Sequence, residues 1–171
     1  MNSINNKQIE FIKDSLNEYP EMRPIIKILK KILQLKNMNN SYHGGMSSYC
    51  LFLLIYSYMK FYHNKVNDNK IKEINLGSLL IEILTFYTNY IDFNCTIIDP
   101  SSDFPFIREY TLDIIPTIIE PVTKKNAAKT IYKIFDVMES LRIVNEDLLS
   151  ILQTDNNNNS ILELMKEYSN N

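Results

Sequence analysis

The residues best suited to bind a ligand lie in one short stretch, residues 44–49, which reads GGMSSY. Two of the chain's three glycines stand here, followed by two serines and a tyrosine at the start of a strongly apolar segment. The first turn of a helix has unpaired N–H groups and a partial positive charge, so it favours an anion. We expect Ser47 or Ser48 to cap this helix and the other hydroxyl to contact a phosphate, with the glycines leaving room for the ligand.

Two further side chains extend this pattern towards a nucleotide. Lys30 lies on the polar side of the preceding predicted helix and adds a full positive charge, and the ring of Tyr49 offers a flat face on which a base can stack. The alternative is an ordinary glycine-containing turn with a serine cap and a core tyrosine. The lysine run also fits the solvent-exposed side of a helix; it comprises Lys27, Lys30, Lys31 and Lys36.

No catalytic set can be assembled from the spacing of the motifs. The sequence has no glycine-rich loop ending in Lys-Ser or Lys-Thr, and its two cysteines and two histidines lack the spacing of a zinc site. Gly77, Ser78 and Asp92 resemble part of a nucleotidyltransferase signature, but Asn94 stands where the second carboxylate is needed. We therefore expect no catalytic residue and no metal site here, and we interpret Gly77 and Ser78 as the start of a helix.

The composition is typical of one compact domain inside the cell. The chain has 171 residues, 45% of them hydrophobic, and a net charge of −2, so no overall positive field attracts nucleic acid or anionic lipid. The most apolar segment, residues 50–56, is too short to cross a bilayer, and the N-terminus has no secretory signal. We expect an intracellular protein without a membrane partner.

Hydrophobic periodicity predicts a mainly α fold, a helical bundle with one short extended or hairpin excursion around residues 96–120. The excursion is indicated by β-branched residues between prolines. A polar loop is predicted at residues 63–70. The predicted helices are residues 5–19, 22–37, 46–62, 75–91, 125–143, 145–153 and 159–168.

Three segments, in this order, resemble a known family: MNNSYHGGMSSY at 38–49, NLGSLLIEILTFYTN at 75–89 and IIEPVTKKNAAKT at 118–130. They are similar to the central and PAP-associated helical domain of the noncanonical poly(A) polymerases of the Trf/DNA polymerase sigma type. We expect this domain to comprise residues 1–143. Residues 144–171 are expected to add C-terminal helices and an asparagine-rich tail.

The resemblance implies roles for residues at matching positions. In such enzymes the tyrosine of the SSY motif stacks on the incoming base, and the preceding serine and an upstream lysine hold the triphosphate. The matching residues here are Tyr49, Ser48 and Lys30, with Ser47 beside them. The asparagine of the third motif, which contacts the base or the ribose, matches Asn126.

Two positions depart from the family's pattern. Uridylyltransferase relatives have a second phosphate-binding lysine four residues after the first, and Gln34 stands there instead, which favours adenylyl transfer. The third motif of the family ends in an arginine. Thr130 occupies that position, and the adjacent Lys129 is our candidate cation.

The resemblance implies the ATP-binding helical part of a template-independent RNA 3′-adenylyltransferase of RNA surveillance, which uses ATP and Mg²⁺ when complete. A preceding nucleotidyltransferase domain would supply the metal-binding aspartates, residues 1–8 would be the junction to it, and the chain alone should be inactive. The implied partners are an RNA 3′ end, a zinc-knuckle RNA-binding protein and a helicase, as in the TRAMP complex, in the nucleus. The alternatives are a noncatalytic interaction module derived from this family, or part of a terminal uridylyltransferase.

Overall fold

The fold is mainly α, with five helices and one small sheet among the residues that the computed structural model describes, which are 2–65, 75–109 and 115–154. A π-helical turn, Phe86–Tyr90, follows the fourth helix. None of the helices in these ranges is both long and apolar enough to span a membrane. The helices are α1 (Asn2–Glu18), α2 (Met22–Leu35), α3 (Ser48–Lys65), α4 (Leu76–Thr85) and α5 (Ile134–Thr154).

The first four predicted helices are confirmed as α1 to α4, with small differences at their ends. The side chain of Asn75 caps α4 by accepting the N–H of Ser78 at 3.0 Å, so Gly77 and Ser78 begin a helix as predicted. Of the predicted loop at 63–70, the first three residues are the end of α3. The rest of that loop and the predicted helix at 159–168 lie outside the described residues.

The predicted helix start at residue 125 is wrong, because α5 begins only at Ile134. The preceding residues form turns in which backbone N–H and carbonyl groups bond to each other. For example, the Glu120 N–H donates to the Lys125 carbonyl at 2.8 Å. Lys124 has a φ of +56°, in the left-handed region that a helix cannot use. Local pairing in this turn therefore overrides the helical propensity of the lysines and alanines.

From Ile134 onward, the two helices predicted at 125–143 and 145–153 form one continuous helix, α5. The second predicted helix starts at a polar residue, Asn145, which the structure buries in mid-helix. Its amide donates to the Thr85 hydroxyl at 2.9 Å, which satisfies this buried donor inside the helix. The division of the chain between residues 143 and 144 stays a prediction, although α5 runs through it.

The segment predicted to be extended contains three short strands, β1 (Thr96–Ile98), β2 (Phe106–Arg108) and β3 (Thr117–Ile118), in the order β2-β1-β3. β1 pairs antiparallel with β2 and parallel with β3. Ile98 lies opposite Ile118, and both side chains are fully buried. This pair joins the sheet to the hydrophobic core.

The core is built around α3, in which every residue from 50 to 59 is buried. A helix that is apolar on all sides is typical of a central position. The one polar residue of this run, Ser57, donates its hydroxyl to the Leu53 carbonyl at 2.9 Å. α2 packs against α3 through buried residues such as Leu29 and Leu33, so its lysines remain outside the core.

The turn from α2 into α3 depends on two glycines. Gly44 has a φ of +82°, and a Cβ there would lie 2.5 Å from the ring of Tyr132. A Cβ on Gly45 would lie 2.4 Å from the carbonyl oxygen of Met38. The expectation that these glycines leave room for a ligand is wrong, because the protein's own atoms fill the space beside both.

We expect Gly44→Ala to lower the free energy of unfolding by at least about 1 kcal/mol, because alanine is strained at this φ and displaces Tyr132. The matched control is Gly77→Ala in the first turn of α4, where φ is negative and alanine should be neutral or stabilising. Urea denaturation of both variants measures the difference. Equal stabilities would contradict the assigned role of Gly44.

Candidate functional site

A cavity of about 300 Å³ lies between α2 and the first turn of α3. Three lysines and no carboxylate contribute to its wall. Its volume is at the lower end of the usual range for ligand sites. The lining residues are Lys27, Lys30, Lys31, Leu33, Gln34, Asn39, Met46, Ser48 and Leu51. We call this the lysine cavity.

The three lysines of the cavity, Lys27, Lys30 and Lys31, share one face of α2, because residues three and four apart are neighbours on a helix. All three are exposed, while Leu29 on the other side of the helix is buried. Three like charges around one space repel each other. An anion with several charges would relieve that repulsion, so the cavity suits a polyphosphate.

The two serines at the start of α3 have different positions. The Ser47 hydroxyl accepts the N–H of Cys50 at 3.1 Å, so Ser47 caps the helix. Ser48 is exposed and lines the lysine cavity together with Lys30. The structure thus brings Ser48 and Lys30 to one cavity, and their contact with a phosphate stays a prediction.

Tyr49 does not line the lysine cavity. Successive residues of a helix point about 100° apart, so Tyr49 and Ser48 face different surroundings. The Tyr49 hydroxyl donates to the Glu120 carboxylate at 2.7 Å, and its partly buried ring stacks on Phe52 with a centroid distance of 6.1 Å. The structure therefore does not bring Tyr49 and Lys30 to one cavity wall, and base stacking by Tyr49 stays a prediction.

The carboxylate of Glu120 is buried, with 3% of the residue exposed, and it accepts hydrogen bonds from three residues. Besides Tyr49, the donors are the N–H of Val122, at 3.1 Å, and both the side chain and the N–H of Thr123. Burial opposes ionisation of Glu120, but these donors outweigh it and lower the pKa of the carboxyl. Burial and the neighbouring carboxylate raise the pKa of the Tyr49 hydroxyl, so it remains a donor.

Two more contacts tie the start of α3 to the loop of residues 118–133. The Cys50 thiol donates to the Ala127 carbonyl at 3.1 Å. The Lys133 N–H donates to the Gly44 carbonyl, also at 3.1 Å. The glycine turn, the start of α3 and the 118–133 loop therefore form one connected unit.

The other two predicted site residues lie on the 118–133 loop and do not line the cavity. The Asn126 amide oxygen accepts the N–H groups of Ile118, at 3.1 Å, and Ala128, at 2.8 Å. Its amide nitrogen donates to the Pro116 carbonyl at 3.0 Å. Asn126 thus fastens the loop to β3. Lys129 is exposed, and the predicted ligand contacts of both residues stay predictions.

The sequence reading missed three residues that shape this region. Lys27 and Lys31 fit the solvent-exposed side of a helix and received no site role. Their spacing from Lys30 nevertheless places all three lysines on one side of α2, where they line the same cavity. Glu120 had no assigned role, and its partner Tyr49 is 71 residues away in the chain. Only the flanking prolines and apolar residues indicated that Glu120 would be buried and need a partner.

Mg²⁺ prefers carboxylate oxygens, and the wall of the lysine cavity offers amines, amides and one hydroxyl. Among the residues for which the structure gives positions, no three His, Cys, Asp or Glu side chains come together as a metal site. The described residues therefore do not fit a magnesium ion.

Two sequence relatives are poly(A) RNA polymerases by name. The poly(A) RNA polymerase gld-4 of Caenorhabditis elegans is 33% identical over 86 residues, which are 49% of this chain and 10% of that protein. The inactive noncanonical poly(A) RNA polymerase protein Trf4-2 of Drosophila melanogaster is 34% identical over 85 residues, which are 49% of this chain and 21% of that protein. No protein-family model matches the chain.

Two solved structures share the fold. The polymerase core of TRAMP, an RNA surveillance complex, superimposes with a TM-score of 0.66 at 21% identity, over 81% of this chain and 46% of that one. Cid1 in complex with the UTP analogue UMPNPP superimposes with a TM-score of 0.70 at 16% identity, over 95% of this chain and 62% of that one.

The chain therefore shares its fold with the polymerase core of TRAMP and with Cid1. More particularly, its sequence relatives are noncanonical poly(A) polymerases, which confirms the predicted resemblance. The chain spans between 10% and 21% of the length of the two curated relatives above.

We expect Glu120→Gln to lower the free energy of unfolding by about 1–3 kcal/mol at pH 7, because an amide cannot accept all of these hydrogen bonds. The folded-state pKa of Glu120 is lowered, so its contribution is present above the unfolded-state value of about 4.3 and is lost as pH falls through the folded-state value. Urea denaturation at pH 7 and at successively lower pH should show the two proteins converging below about pH 4.

The matched control is Glu139→Gln, which removes an exposed carboxylate paired with Arg142 on α5. Its effect should stay below about 1 kcal/mol, since exposed ion pairs contribute little. Tyr49→Phe should cost about 0.5–1.5 kcal/mol and should couple to Glu120→Gln in a double-mutant cycle. A stability difference for Glu120→Gln that does not change with pH would show that this carboxyl is not ionised in the folded protein.

Proposed function

We propose that this chain is the ATP-binding helical part of a template-independent RNA 3′-adenylyltransferase. The observation that carries the proposal is the lysine cavity, where Lys30 and Ser48 meet beside the first turn of α3. A helix N-terminus, a hydroxyl and ammonium groups are the donors that bind phosphate chains in proteins. The kinship with poly(A) polymerases supports ATP as the nucleotide.

In this proposal the triphosphate occupies the lysine cavity and the adenine extends towards Tyr49, one residue beyond Ser48. Gln34 stands four residues after Lys30 and carries no charge. In this proposal Lys27 and Lys31 supply the additional positive charge. Glu120 fixes the orientation of the Tyr49 ring through the 2.7 Å hydrogen bond. A ring held in one orientation loses less conformational entropy when a base stacks on it.

The chemical step belongs, in this proposal, to the complete protein. Mg²⁺ and the carboxylates that hold it would come from a nucleotidyltransferase domain, and the acceptor would be an RNA 3′ end. The shared fold with the polymerase core of TRAMP supports membership of a TRAMP-like complex, in which a zinc-knuckle RNA-binding protein and a helicase are the partners that the sequence resemblance implies. Nuclear residence is part of the same proposal and is tested by the location of a tagged protein.

We expect the chain to bind ATP and Lys30→Ala to weaken this binding by about 10- to 100-fold, because a charge-assisted hydrogen bond is lost. Isothermal titration calorimetry at low salt measures the dissociation constants. The matched control is Lys13→Ala on the exposed side of α1, which should leave the affinity unchanged. Inorganic triphosphate should compete with ATP, since the cavity contacts the phosphates.

Two further variants separate the phosphate contacts from the base contact. Ser48→Ala should weaken ATP and inorganic triphosphate alike. Tyr49→Ala should weaken ATP and leave inorganic triphosphate unchanged. If Lys30→Ala and Lys13→Ala bind ATP equally well, the lysine cavity is not the phosphate site.

A noncatalytic module of the same ancestry is the second candidate, because one relative, Trf4-2, is named an inactive polymerase. In that case the fold would be retained for contacts with other proteins. The gene sequence upstream of Met1 distinguishes the candidates. A Gly-Ser motif followed by metal-binding aspartates there favours the enzyme, and its absence together with no ATP binding favours the module.

The choice between ATP and UTP is a separate prediction, since one structure with this fold holds a UTP analogue. We expect ATP to bind more tightly than UTP, because the larger purine gains more from stacking and Gln34 replaces the second lysine of uridylyltransferases. Competition of the four nucleoside triphosphates against labelled ATP measures this order. Tighter binding of UTP would assign the chain to a uridylyltransferase instead.

A further inference from the structure

An exposed aromatic and basic surface lies beside the glycine turn. It carries two tyrosines with large exposed fractions, 92% for Tyr42 and 55% for Tyr132. Three exposed side chains that are basic or can become so accompany them: His43, Lys129 and Lys133. We call these five residues the Tyr42–Tyr132 surface.

Contacts around Gly44 bring the two halves of this surface together. The Lys133 N–H donates to the Gly44 carbonyl at 3.1 Å, and the Tyr132 ring lies where a side chain on Gly44 would be. Tyr42 is two residues before Gly44, so at most about 7 Å of extended chain separates their Cα atoms. The tyrosines are 90 positions apart in sequence, and both lie beside the turn at Gly44.

The backbone that carries these rings is held in place. Tyr42 lies in the short 3-10 turn Ser41–His43, and its N–H donates to the side-chain oxygen of Asn40 at 2.9 Å. Tyr132 rests against the backbone of Gly44. Two large rings on a fixed backbone, both open to solvent, offer flat faces on which other aromatic groups can stack.

We propose that the Tyr42–Tyr132 surface binds single-stranded RNA, with bases stacked on the two rings and phosphates near Lys129 and Lys133. Aromatic rings interleaved with cations are the chemistry that recognises single strands without a fixed sequence. No carboxylate belongs to the surface, and Asp136, in the first turn of α5, is the next acidic residue along the chain. The proposal relies on the proposed function only for naming RNA as the polymer.

The surface is distinct from the lysine cavity, although the two are close. Met46 and Ser48 line the cavity, and Tyr42 stands four residues before Met46. None of the five surface residues lines that cavity. RNA bound here would therefore leave the lysine cavity open.

The test is fluorescence anisotropy of 5′-labelled 12-nucleotide oligo(A) and oligo(U) with the full chain at low salt. We expect Tyr42→Ala to weaken binding by roughly 5- to 150-fold, the usual effect of removing one stacked ring. The matched control is Tyr90→Ala, which removes another exposed tyrosine, 75% exposed, at the end of the π-helical turn. That control should bind RNA as the wild type does.

A second variant tests the cations. The double substitution Lys129→Gln and Lys133→Gln should reduce the slope of log affinity against log salt by about 0.7 per lysine. Lys7→Gln with Lys13→Gln on α1 is the control and should leave the slope unchanged. Tyr132→Leu is less informative because this ring also packs on Gly44. The Tyr42 variant and the lysine double variant therefore decide whether the proposal holds.

Three outcomes would overturn the proposal. The first is equal RNA affinities of Tyr42→Ala and Tyr90→Ala, and the second is a salt slope that the lysine double substitution does not change. The third is no RNA binding by the wild type, which would indicate that the two tyrosines contact a protein partner instead. Lys30→Ala separates this result from the ATP proposal. It should lose ATP and keep RNA, whereas Tyr42→Ala should lose RNA and keep ATP.

Discussion

The carboxylate of Glu120 is the constraint on which the candidate site depends. A charge taken out of water is tolerated only when hydrogen bonds replace its hydration, and here the donors are the Tyr49 hydroxyl, the N–H of Val122, and the side chain and N–H of Thr123. One donor residue belongs to α3 and two belong to the 118–133 loop. Satisfying this one group therefore fixes the start of α3 against the loop, and it thereby sets the position of Ser48 on the lysine cavity.

Local patterns predicted most of the fold. Periodicity located α1 to α4, and β-branched residues between prolines located the strands. The errors occurred at polar residues whose partners are not evident from the local sequence. The start of α5 follows the turn at Glu120, and Asn145, where a new helix was predicted to begin, is buried in mid-helix and donates to Thr85. In the site, helical spacing could have grouped the three lysines, whereas the Tyr49–Glu120 bond joins residues 71 apart and has no local signature.

The start of α3 presents different chemistry in two directions. Ser48 lies on the side of the lysines of α2, where the surroundings suit a polyanion. Tyr49 lies on the side of the 118–133 loop, with its ring on Phe52 and its hydroxyl on a carboxylate. A helix start with these two neighbours has a wall of positive charge on one side and an aromatic ring on the other, which are the two contacts that the proposed ATP site requires.

The unbroken course of α5 has a practical consequence for dissecting the protein. At 1.5 Å per residue this 21-residue helix is about 30 Å long, and its second half contributes Val144 and Leu148 to the core. Cutting the gene after residue 143 would expose the apolar surface that these side chains cover and leave the Thr85 hydroxyl without its amide partner. A shortened protein for biochemical work should therefore keep all of α5, because a boundary after residue 143, chosen from sequence alone, would yield an aggregation-prone product.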